Sequence, residues 1–118
     1  MTAPLKQPGP GKDGFQVHIL TVNGEVHVVF GVLVNHLPMP PHIAWKLAMS
    51  ILEKARTVDP GGKLMEQDPA IAVQVYDKQV LMELALPVSE LRLTPRVARD
   101  LGQRLIETAA KAVDRPLS

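Results

Sequence analysis

The chain has 118 residues, thirteen Lys and Arg against twelve Asp and Glu for a net charge of +1, and 46% hydrophobic residues. A chain of this length forms one domain and buries about two thirds of its unfolded surface without covalent staples. The absence of cysteine excludes disulfides, thiolate zinc sites and a cysteine nucleophile, and the near-neutral charge advertises no general phosphate-binding surface.

Residues 1–14, "MTAPLKQPGPGKDG", carry three prolines and three glycines and no apolar run. They read as a flexible tail, neither a signal peptide nor a membrane span. No later segment reaches the roughly 20 apolar residues of a transmembrane helix, so no membrane partner is expected. With no cysteine to mark an oxidising compartment, the expected location is cytoplasmic.

Residues 15–118 read as a single domain made of two repeats, 15–58 and 70–113. Laid over residues 17–58 without a gap at an offset of 54, residues 71–112 give eight identities in 42 pairs, where ordinary composition gives roughly three. Val26/Val80, Leu37/Leu91, Pro41/Pro95, Ala44/Ala98 and Leu47/Leu101 are among them. Each repeat is a strand, a tight turn, a strand, a proline corner and a helix.

In the first repeat "FQVHILTV" and "EVHVVFGVLVN" flank Asn23-Gly24, the dipeptide that best tolerates the positive φ angles of a two-residue hairpin turn. That turn sets Val22 against Glu25, Thr21 against Val26 and Ile19 against Val28, and the period of two gathers the large apolar residues on one face. "NHLPMPPHIAWKL", residues 35–47, then hands the strand over to a helix with Pro41 in its first turn, where a missing N–H costs no hydrogen bond. The helix is predicted over 42–57, with a core stripe of Ile43, Leu47, Ile51 and Ala55.

"DPGGKLMEQDP", residues 59–69, is a connecting loop by its Pro and Gly content. The second repeat turns at Asp77-Lys78 and sets Ile71, Val73 and Val75 against Leu84, Met82 and Val80. Thr94 stands as N-cap before Pro95. The second helix is predicted over 96–113, with Val97, Leu101, Leu105 and Ala109 on its inner stripe.

The architecture expected is α+β: an internally duplicated ββα-ββα chain forming a four-stranded, mainly antiparallel sheet with two helices on one face, related by a pseudo-twofold axis. The pattern leaves the strand order open, and a dimeric sheet satisfies it equally, because four strands expose two edges. "LRLTPRVARDLGQRLIETAAKA" resembles the terminal helix of many small uncharacterised bacterial and phage proteins, in which a hairpin is followed by Leu-Thr-Pro-x-x-Ala-x-x-Leu-x-x-x-Leu. Leu93, Thr94, Pro95, Ala98, Leu101 and Leu105 carry the likeness. It implies the same fold and carries no activity with it.

Because the scaffold explains what the repeats share, their differences point to function. All four histidines, His18, His27, His36 and His42, lie in the first repeat, but His18 and His27 lack the third ligand of a metal site, so no metal is expected. Ser50 and Ser89 sit in no nucleophile elbow, and no phosphate cradle or HExxH occurs, so neither catalytic residues nor a cofactor are expected. Arg92, Arg96, Arg99 and Arg104 gather on and just before the second helix, yet Asp100 and Glu107 are interleaved at helical spacing as on a solvated, self-paired face.

The first helix carries Trp45 and Met49 beyond its core stripe where the second has Arg99 and Gln103. On the outer sheet face Leu20, Val22, Val29 and Leu33 stand where the second repeat has Gln74, Tyr76, Glu83 and Pro87. Apolar surface in excess of one sheet contact implies a partner, unless loop 59–69 or the tail folds over it. The expectation is a small non-catalytic binding protein, a homodimer or higher homo-oligomer, that takes a protein or small ligand at an apolar oligomer interface, with Trp45 and Met49 on the helix and Leu20, Val22, Val29 and Leu33 on the outer sheet face as the partner-binding residues. The alternatives are a nucleic-acid-associated protein that uses the arginines of 96–113 and, third, a small enzyme with its active site at an oligomer interface.

Overall fold

The computed structural model describes residues 17–114, so the tail expected over 1–14 lies outside the described residues. Six elements follow in the order β1 (His18–Val22), β2 (Glu25–Met39), α1 (Pro41–Val58), β3 (Ile71–Tyr76), β4 (Gln79–Leu93) and α2 (Pro95–Asp114). Both hairpins close in the register that the turns dictate, with Ile19 opposite Val28 and Thr21 opposite Val26, then Val73 opposite Met82 and Val75 opposite Val80. Asn23 and Gly24 adopt φ of 51° and 81°, and Asp77 and Lys78 adopt 53° and 65°. The second turn therefore holds the left-handed geometry of the first without a glycine.

The sheet order is β1-β2-β4-β3, antiparallel throughout. Its centre is the pairing of the two 15-residue strands β2 and β4. The pairs Val26–Leu93 and Met39–Val80 exchange under the 54-residue offset, so the pseudo-twofold axis passes between these strands near residues 32–33 and 86–87. There the register is interrupted between Val29 and Val34, Gly31 takes a φ of 79°, and the Ala85 N–H donates to the Ala70 carbonyl at 2.9 Å. A bulge of this kind bends both strands and turns Val32, Leu33 and Leu86 outward.

The proline corner is shorter than its sequence suggests. β2 continues through His36, Leu37, Pro38 and Met39 and pairs them with β4. β1 ends its pairing at Val29, so among the described residues this half of β2 has a neighbouring strand on one side only. An edge tolerates Pro38, whose nitrogen has no hydrogen to donate. Ser89 likewise lies within β4.

Pro41 and Pro95 open the helices. The Pro40 carbonyl accepts from the amides of Ile43 and Ala44 at 3.0 Å each, and Thr94 caps α2, its hydroxyl accepting from Val97 N–H at 3.2 Å and its carbonyl from Ala98 N–H at 2.9 Å. The phase of α1 differs from the stripe expected of its sequence. Ala44, Leu47, Ala48, Ile51 and Ala55 are buried, whereas Ile43 is 41% exposed. The reason is that α1 has two neighbours, the sheet beneath and α2 beside it. Small side chains let the two axes approach, and a Cβ at Gly102 would meet Leu52 Cγ at 2.7 Å and the Ala48 carbonyl oxygen at 3.3 Å.

Val26, Val28, Val80 and Met82 from the sheet, with Ile51, Leu101 and Leu105 from the helices, form the fully buried centre. Among the described residues no helix is long and apolar enough to cross a membrane. Filling the closest approach tests this packing. Gly102→Val should lower stability by about 1–3 kcal/mol, the usual cost of overpacking, read as a drop in the urea midpoint with an unchanged slope.

Candidate interaction surface

The six apolar residues that set the first repeat apart fall into two groups, one on the first helix and one on the sheet strands. Trp45 and Met49 lie on α1, in the helix layer. Leu20 and Val22 lie on β1 and Val29 on β2, on the face of the sheet away from the helices, while Leu33 projects from the central bulge at 73% exposure. The sheet separates the two groups. Alternation assigns Leu20, Val22 and Val29 to the outer face, and Trp45 stands on the opposite side with the helix layer.

The outer face carries several polar side chains along β2 and β4. His27 places Nε2 3.1 Å from Glu25 Oε1 and Nδ1 3.4 Å from Glu90 Oε2, and Arg92 reaches Glu90 at 3.3 Å. His36 Nε2 lies 3.1 Å from Glu83 Oε2, and Gln74 donates to the other oxygen of that carboxylate at 2.8 Å. The His27–Glu90 and His36–Glu83 contacts depend on the β2–β4 pairing, which the sequence pattern leaves open. His27 engages carboxylates rather than His18. Among the described residues, no group of three or more His, Asp and Glu side chains is placed to hold a metal ion.

Trp45 is 50% exposed. It lines an apolar groove of about 480 Å³ with Pro41 and His42 from the start of α1 and Ile106, Ala110 and Val113 from the end of α2. Ala109 and Ala110 of α2 give this groove a low floor.

Arg99 occupies the equivalent place on α2 and is treated in the opposite way. Its side chain is 13% exposed and donates to the carbonyls of Asp59 at 2.6 Å and Leu64 at 3.3 Å, with the Asp59 carboxylate at 3.1 Å. The loop after α1 is thus gathered onto the first turns of α2, and Glu66 N–H adds a bond to the Arg96 carbonyl at 3.2 Å. Loop 59–69 therefore covers Arg99 and leaves Trp45 open. A Cβ at Gly62 would fall on the Arg99 guanidinium, so a side chain there would have to shift Arg99 from its place.

The four arginines are dispersed by the same contacts. Arg104 pairs with Asp100 at 2.8 Å and donates to the Ile71 carbonyl at 3.4 Å, Arg99 is spent on the loop, and Arg92 lies on the outer sheet face. Arg96 stays exposed at the start of α2. Guanidinium groups committed to internal acceptors are not free for phosphates, and the remaining two point to different sides.

No protein-family model matches the sequence, and neither a curated protein nor a solved structure shows significant similarity to it. Removing the loop clamp tests the assignment of Arg99. Arg99→Ala leaves three acceptor groups without their donor and should cost about 1–3 kcal/mol, with hydrogen exchange quickening first at residues 60–66.

Proposed function

We propose that this is a small non-catalytic binding protein that self-associates through the Trp45 groove, offering the joined surface to a protein or ligand partner. The observation that carries the proposal is the contrast between equivalent positions. The loop that follows α1 seals Arg99, whereas Trp45 stands half exposed above an apolar floor. Met49, also exposed, extends the same helix face by one turn. Aromatic anchors in apolar grooves dominate interface energies, and isologous packing lets one groove serve both copies.

The alternative, a nucleic-acid footprint on α2, is weakened by the internal bonds of Arg99 and Arg104. Trp45→Arg, which copies the residue at the equivalent position, separates these readings. Sedimentation should show the association of the wild type weakened by about 2 kcal/mol or more, with far-UV circular dichroism unchanged. A wild type that stays monomeric at tens of micromolar, or a variant that associates normally, overturns the proposal. Salt-dependent binding to a mixed-sequence duplex, lost on Arg96→Glu, would favour the alternative.

A further inference from the structure

A second depression lies on the other flank of α1, between that helix, β1 and the end of β2. Its volume is about 260 Å³. Val17 and Ile19 form one wall, Leu37 and Met39 the floor, and Ile43 and Leu47 the other wall, while Lys46 and Ser50 are its polar lining residues.

The duplication supplies an internal comparison. Every apolar lining residue has an apolar counterpart 54 positions later, and only the two polar positions change character: Lys46 becomes Asp100 and Ser50 becomes Arg104. In the second repeat those two residues bind each other at 2.8 Å, and Arg104 reaches across to the β3 carbonyl of Ile71 at 3.4 Å. The helix is thereby tied to its strand. Ser50 is too short to span the same gap, and Lys46 replaces the anion with a cation. What the second repeat uses as a closed ion pair, the first presents as an apolar crevice with a cation and a hydroxyl donor at its edge.

We infer that this crevice is a binding site for a small anionic amphiphile, a carboxylate on a saturated chain of about eight carbons, given a volume just below the usual range for drug-sized ligands. The chain lies between Ile19 and Ile43 over Met39, removing apolar wall from water. The carboxylate accepts from the Lys46 ammonium and the Ser50 hydroxyl, which are one helical turn apart on the same side of α1. The site goes beyond the self-association proposed above, since Trp45 and Met49 take no part in it.

The test is titration of the full chain with octanoate, followed by calorimetry and by the methyl resonances of Met39 and Ile43. Saturable binding that shifts those methyls is expected, with 1-octanol binding about tenfold more weakly or worse. Lys46→Asp combined with Ser50→Arg installs the closing pair of the second repeat and should abolish binding. If that variant does not fold, Lys46→Gln alone should weaken octanoate about tenfold and leave octanol unchanged. No saturation by ~1 mM octanoate, equal binding of octanol, or undiminished binding by the closing variant or by Lys46→Gln would each overturn the assignment. Trp45→Arg should bind octanoate as the wild type does, so a failure of self-association leaves this result separately readable.

Discussion

The antiparallel pairing of β2 with β4 is the constraint on which the rest of the molecule depends. A hairpin with one helix is too small to bury both the sheet face and the inner side of the helix, and two-stranded units are marginal in water. Pairing the second strands of the two repeats makes one four-stranded sheet and lays both helices on the same face, side by side. The buried centre then draws on both repeats at once, from Val26 and Val28 to Val80 and Met82, under Ile51 and Leu105. Neither half has a core of its own to keep.

An approximate twofold axis imposes close approach where the helices meet, and the sequence answers with small residues. Ala44, Ala48 and Ala55 are matched by Ala98, Gly102 and Ala109, all buried. Their cost is limited side-chain volume, which the large residues facing the sheet make up. Small residues at the helix contact also rotate α1 so that Ile43 leaves the core and becomes the rim of the crevice beside β1.

The same scaffold is used twice and finished differently. In the second repeat, charged side chains are turned inward to internal acceptors: Arg99 ties down the loop and Arg104 ties α2 to β3. In the first repeat the equivalent residues are Trp45 and Ser50, and among the described residues both places remain open. Partly buried guanidinium groups satisfied by carbonyls and a carboxylate rigidify their surroundings. The second half thus serves as the stable frame, and both depressions described above involve α1.

Much of this was legible in the residues. The offset of 54, the Asn23-Gly24 turn and the alternation of Ile19, Val26 and Val28 determine two hairpins of known register, and Pro41, Thr94 and Pro95 determine where the helices begin, because turn chemistry and capping act over three or four neighbouring residues. Tertiary structure alone decided the strand order, the extension of β2 through Pro38, the His36–Glu83 contact and the rotation that exposes Ile43. It also decided that Arg99 closes over a loop while Trp45 does not. Each of these rests on contacts between residues distant in the chain, and periodicity within one segment states which face is apolar without stating what is packed against it.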